Sequence, residues 1–257
     1  MQYLQNLKPA TYAAAALFAS ALPLASSSTT NAATVLPLSL CAPASNTFST
    51  TVDNPFFPLP ADTQWILAGK EGPDRLGLEV TVLNGVERFY RDPGDGIPTI
   101  DTLRVEETEW EDDDGDGVRD AGEFVIETSI NYFAQTQDGT VCYFGEDVSI
   151  FLPDGTVSTE GAWRADASGN APGIFMPADP QVGMTFQQES APGVAEDTAT
   201  IVDDGRTVRT PAGTFTNTIR VRDFNPLDRG KGVKSYARDV GLIHDGPLLL
   251  TVVQTVR

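Results

Sequence analysis

From residue 64 onward the chain alternates apolar and polar residues with period 2 in short runs, and no long segment carries a helical 3.6-residue apolar period. Strands with one face buried are the physical reading of that pattern. The expected strands are 64–68, 76–83, 86–91, 102–111, 124–135, 141–151, 157–164, 198–202, 207–209, 214–224, 233–237 and 248–256. Asn84-Gly85, Asp138-Gly139 and Asp154-Gly155 between them are tight-hairpin dipeptides. The fold class expected is therefore all-β, a single antiparallel barrel or sandwich of about ten strands.

One interruption of this text has a chemistry of its own. Residues 112–123 read Asp-Asp-Asp-Gly-Asp-Gly-Val-Arg-Asp-Ala-Gly-Glu, which matches a twelve-residue calcium loop. Asp112, Asp114 and Asp116 take positions 1, 3 and 5, Gly117 the sharp turn, Val118 the carbonyl position, Asp120 position 9 and Glu123 the closing carboxylate. Ca²⁺ takes six to eight oxygens, and alternate residues of a curled loop can point them inward together. The ordinary alternative is a solvated acidic loop. The flanks are not amphipathic helices. After the loop, Phe124, Ile126, Ile130 and Tyr132 fall on one strand face and Glu127, Ser129 and Asn131 on the other. The expectation is one structural Ca²⁺ ion tying off a β-hairpin, inserted into the β-domain.

The next hairpin can be read residue by residue. A two-residue Asp138-Gly139 loop pairs Gln137 with Thr140, Ala134 with Tyr143, Phe133 with Phe144 and Tyr132 with Gly145.

The N-terminus carries Lys8 and an apolar, alanine-rich stretch from Tyr12 to Ala25, followed by small residues. This is the layout of an export signal, too short for a membrane-spanning helix of about 20 residues. The expected organisation is a signal peptide over 1–33, a flexible arm over 34–55 and the all-β domain over 56–257, with a periplasmic or extracellular location and no transmembrane span. Leu38-Ser39-Leu40-Cys41 has the outline of a lipoprotein box, but its leucine directly before the cysteine argues against lipidation. In an exported chain, Cys41 and Cys142 can form only one intramolecular disulfide. Seventeen basic against 36 acidic residues give a net charge of −19, which repels nucleic acid and anionic lipid surfaces.

Several stretches resemble an uncharacterised family of exported, β-rich bacterial proteins. They include Asn54-Pro55-Phe56-Phe57-Pro58-Leu59, Tyr143-Phe144-Gly145-Glu146 and Ser158-Thr159-Glu160-Gly161-Ala162-Trp163. Pro172-Gly173-Ile174-Phe175-Met176-Pro177, Pro192-Gly193-Val194-Ala195-Glu196-Asp197 and Pro211-Ala212-Gly213-Thr214-Phe215 belong to the same set. The resemblance implies a domain type and no established activity.

Catalytic signatures are sparse. His244 is the single histidine, so a Ser-His-Asp or multi-histidine site would have to be built on it, and no Gly-x-Ser-x-Gly elbow or phosphate loop occurs. Glu146, Glu160, Glu196 and Asp197 could serve a carboxylate pair, although among 36 acids candidate pairs arise without meaning. Trp65, Trp163, Phe133, Phe144, Tyr143 and Phe175 would either fill a core or enclose a pocket. No catalytic residue is assigned. The expected function is non-catalytic binding of a small or apolar ligand, or an envelope partner, outside the cytoplasm. The alternative is a secreted hydrolase working through two carboxylates on polysaccharide.

Overall fold

The protein is described from a computed structural model covering residues 34–92, 94 and 96–256. The expected signal segment, residues 1–33, lies outside the described residues. Short strands β1 (Thr34–Val35), β2 (Phe48–Ser49), β3 (Asp53–Asn54) and β4 (Phe57–Pro58) come first. The long strands follow: β5 (Thr63–Glu71), β6 (Asp74–Phe89), β7 (Ile100–Glu111), β8 (Val125–Thr136) and β9 (Val141–Phe151). Next are β10 (Val157–Ser158), β11 (Trp163–Arg164), β12 (Gly173–Met176), β13 (Met184–Gln187), β14 (Thr198–Asp204), β15 (Val208–Thr210) and β16 (Gly213–Phe215). The chain closes with β17 (Thr218–Phe224), β18 (Lys231–Ala237), β19 (Gly241–Asp245) and β20 (Leu248–Thr255). No α-helix occurs among the described residues, and none of their segments is a helix long and apolar enough to cross a membrane.

The all-β class holds, but a closed barrel does not form. One open sheet runs β1-β13-β14-β17-β18-β19-β20-β5-β6-β7-β8-β9-β10, with β11 and β12 added on β9 and β2 on β8. It is mixed, because β1 pairs with β13 in parallel whereas the other ladders are antiparallel. The sheet curls until its two halves face each other, yet the seam between β12 and β13 is joined by a single bridge, Ala171 to Ser190. Pro172 and Pro177 bracket β12, and a residue without an N–H cannot extend a ladder across that seam.

Two turns depart from expectation. Asn84-Gly85 makes no hairpin: β6 runs through it as one strand, with a register shift between Leu83 and Val86 where β7 pairs on both sides. A long partner strand supplies ladder bonds to both halves, and the local turn preference yields a bulge with Gly85 at φ +88°. The Asp138-Gly139 loop is one residue larger than expected. The Thr136 N–H donates to the Thr140 carbonyl (2.9 Å), Phe133 pairs with Tyr143, and Ala134 pairs with Cys142. A bulge between Tyr132 and Phe133 then restores the expected Tyr132–Gly145 pair.

Residues 34–55, expected as a flexible arm, lie along the sheet in this structure. Cys41 is bonded to Cys142 and both are fully buried. The Gln135 Oε1 accepts from the Asp53 and Asn54 N–H groups (3.0 and 2.9 Å), fixing the approach to β4.

Aromatic residues fill the core beside this junction. Phe133 stacks on Tyr143 at 4.9 Å, and Phe175 packs edge-on against Phe133 at 4.8 Å. Trp163 meets Tyr143 edge-on at 5.3 Å. These rings pack on one another, the arrangement of a core.

Candidate functional site

Two acidic sites emerge, one local in sequence and one assembled by the fold. In the loop between β7 and β8, the Glu111 N–H donates to the Phe124 carbonyl (2.9 Å), so the loop closes an antiparallel hairpin. Asp112 is buried, and its two oxygens accept from the Gly115 and Gly117 N–H groups (2.8 and 3.1 Å). Asp114 accepts from Asp116 N–H and Asp116 from Val118 N–H, winding the loop around its own carboxylates. Gly117 takes φ +75°, the left-handed conformation its position requires. Asp112, Asp114 and Asp116 each offer an oxygen within 4.8 Å of the others, so the trio could hold a metal ion. Glu123 closes the loop through the Asp113 and Asp120 N–H groups (2.9 and 2.8 Å), and Asp120 and Val118 are exposed.

The second site is a cavity of roughly 330 Å³ inside the curled sheet. Strands from both halves of the sheet line it: β5 to β9 on one side, β17 to β19 on the other. Among the described residues, six glutamates and three aspartates front it, against two lysines. Exposed Lys231 and Gly246 stand at its rim. The register explains the concentration of charge. Glu109 lies directly opposite Glu127 on the β7–β8 ladder, and Asn131 opposite Glu146 on the β8–β9 ladder.

A polar network forms one wall. The Ser129 hydroxyl donates to the Glu146 carboxylate, and Asn131 Nδ2 donates to Ser129 Oγ (3.0 Å). The Tyr143 hydroxyl donates to Asn131 Oδ1. On the facing half, Lys234 Nζ lies 3.7 Å from Asp223 Oδ2. Burial works against the Lys234 charge, but Asp245 and Asp223 outweigh it and hold the ammonium well above its ordinary range.

Burial is the largest influence on Glu109, Glu146, Asp197 and Asp245 and pushes them toward the protonated form. Glu109 rises to about 7, helped by Glu127, Asp245 and Glu107. Glu146 rises to about 7, with Glu127 and Glu107 adding to burial. Asp197 and Asp245 rise to about 6, burial being partly offset by Lys234. Two oxygens stand out: Glu109 Oε1 and Asp223 Oδ1 are buried without a hydrogen-bond partner, on residues only 5% and 6% exposed.

Of the acids singled out in the sequence, Glu146 and Asp197 line this cavity. Glu160 is exposed, and Glu196 accepts from the Gly193 N–H in a turn (2.9 Å). His244 lies in a separate recess with Arg206, Arg209 and Arg220, where burial and Arg220 lower its pKa. Sequence reasoning missed Glu107, Glu109, Glu127, Glu189, Asp223, Asp245 and Lys234. A signal was present, because Glu127, Ser129 and Asn131 share the polar face of β8. All three are buried. Among the described residues, the expected apolar lining consists of Leu78, Phe175, Pro247 and Leu248, with the Tyr143 ring beside them.

No protein-family model matches the chain. No curated protein and no solved structure matches it either.

Proposed function

We propose that this is an exported, non-catalytic binding protein whose internal cavity takes a small positively charged ligand, and whose β7–β8 loop carries one structural Ca²⁺ ion. The cavity wall is the observation that carries the reading. Nine carboxylates around one small space, with Glu109 Oε1 buried and unpartnered, favour a cation that supplies both charge and donors. Lys234 offsets part of this buried charge, and protonation relieves more of it. Export is supported by the N-terminal signal pattern and by the Cys41–Cys142 disulfide, a bond suited to oxidising compartments. Calcium is supported by the twelve-residue spacing and by the converging Asp112, Asp114 and Asp116 oxygens.

The test is thermal stabilisation at neutral pH by a panel of small cations, anions and neutral sugars. Cations should raise the melting temperature. Stabilisation by neutral or anionic compounds, with none by cations, would defeat the proposal.

One observation favours a second reading, a hydrolase that acts on polysaccharide through a carboxylate pair. Glu146, held protonated up to about 7, has the protonation state a general acid needs. Glycan cleavage lost in Glu146→Gln would establish that reading over the first.

A further inference from the structure

We infer that the recess between the β15–β16 hairpin and the outer face of the sheet is an oxyanion site. It takes a phosphate or sulfate group between Arg220 and His244, above the Ser235 hydroxyl. The recess and the acidic cavity lie on opposite faces of the same strands. On the β18–β19 ladder Lys234 pairs with Asp245 and Ser235 with His244, and successive residues of a strand point to opposite faces. The first pair lines the cavity, and the second lines the recess.

The register sets three donors in one row. Arg220 pairs with Ser235 on the β17–β18 ladder, and Ser235 pairs in turn with His244. Neighbouring strands stand about 4.8 Å apart, so one short side chain lies between two long ones. That order leaves a notch with a hydroxyl at its floor, a guanidinium on one side and an imidazole on the other. The hairpin that bounds the recess is fastened at both ends. Thr218 Oγ1 donates to the Arg206 carbonyl where the hairpin departs (2.8 Å), and the Ala212 N–H at its tip donates to the Leu250 carbonyl (3.0 Å). Roughly 340 Å³ lies between hairpin and sheet, within the usual range of small-molecule pockets, roughly 300–1,000 Å³.

The second observation is that these donors lack acceptors. Ser235 is only 4% exposed, and among the described residues its hydroxyl has no hydrogen-bond partner. Among the same residues Arg220 makes no ion pair, while Asp203, opposite it on β14, accepts from Arg206 Nε. A buried hydroxyl left unbonded is destabilising, and an oxyanion is all acceptor. Guanidinium groups bind phosphate-type oxygens with short, charge-assisted hydrogen bonds.

Charge points the same way. Among the described residues, the charged groups that share the recess with His244 are Arg206, Arg209, Arg220, Asp203 and Asp204. Three arginines against two aspartates leave it positive, within a chain that carries −19 overall. Exposed charges beyond about 10 Å are largely screened at 0.1 M salt, so the local excess decides which ion enters.

The experiment follows the imidazole NMR signals of His244, the single histidine, in the whole chain. The probes are sodium sulfate, sodium phosphate and sodium acetate, each at an ionic strength matched with sodium chloride. Sulfate and phosphate should shift the signals saturably at millimolar concentration. Burial first and Arg220 second lower the His244 pKa, and sulfate bound beside the ring should raise it by about half a unit or more. Arg220→Gln should weaken sulfate binding by about tenfold or more and, without sulfate, raise the His244 pKa on its own. Ser235→Ala should also weaken binding, whereas Arg222→Gln, on the same strand but outside the recess, should leave it unchanged. Arg220 is exposed, so its variant decides the matter if Ser235→Ala fails to fold by circular dichroism. No saturable shift from sulfate or phosphate would overturn the inference, as would a shift that survives both variants. Acetate binding as tightly as sulfate would overturn the assignment to a phosphate or sulfate group.

Discussion

Glu109 and Glu127 stand directly opposite each other on the β7–β8 ladder, and both face the cavity. Like charges at opposed cross-strand positions destabilise a sheet, and burial removes the water that would screen them. The folded protein therefore keeps a proton on this side of the cavity, or a cation beside it.

That relationship sets a pH dependence. Glu109 and Glu146 both rise from 4.5 to about 7 in the folded state, through burial first and the Glu127 and Glu107 charges second. A raised carboxylate pKa contributes stability that is fully present below 4.5 and is lost as pH rises through 7. Chemical denaturation without added cations should thus give a falling free energy of unfolding between pH 5 and pH 7.5. A rising curve across that window would contradict the burial of these acids.

Glu109→Gln removes the charge and keeps the shape. At pH 8 it should stabilise the ligand-free protein by on the order of 2 kcal/mol, with little change at pH 4.5, where the native residue is already protonated. Melting curves at the two pH values make the comparison, and equal shifts at both would refute it.

Cation binding to the cavity should expel protons from the raised carboxylates. Affinity for a small cation in the cavity should accordingly strengthen between pH 5.5 and pH 8. Calorimetry in buffers of differing ionisation enthalpy should register proton release, and uptake would be the wrong sign.

In the β7–β8 loop, Asp116→Ala should abolish calcium binding and the calcium-dependent rise in melting temperature. The native affinity should lie at about 10⁻⁴–10⁻³ M, the range of extracellular modules. No calorimetric heat from the native chain at millimolar Ca²⁺ would rule the ion out.

Gly145 takes φ +147°, and a Cβ there would sit 2.4 Å from the Trp163 carbonyl oxygen. Gly145→Ala should cost about 2–4 kcal/mol through backbone strain and displacement of β11. Urea unfolding would measure it, and a neutral result would mean that β11 does not pack as described.

The features legible in the sequence are those whose partners are near in sequence or few in number. The turn around Asp112, Asp114 and Asp116 is closed by its own backbone N–H groups, and its spacing alone predicts the convergence of those oxygens. Cys41 and Cys142 had only each other. The strands themselves followed from period-2 alternation, because that period is a local property of the pleat.

Tertiary structure decided which side of each strand is inside. Alternation on β8 separates Ile126 and Ile130 from Glu127, Ser129 and Asn131, but it cannot say that the polar set is enclosed along with Ile126. The sheet curls so that β17 to β19 face β7 to β9, and Lys234 and Asp223 come to lie across the cavity from Glu109. A face that looks solvent-exposed in the sequence becomes an internal wall, because a strand's period records a difference between its faces, whereas enclosure depends on residues a hundred positions away. The register of the β8–β9 hairpin was settled the same way. One extra loop residue and one compensating bulge set Phe133 against Tyr143, and the loop itself is held by Asp138, whose Oδ1 accepts from Thr136 Oγ1 and the Thr140 N–H.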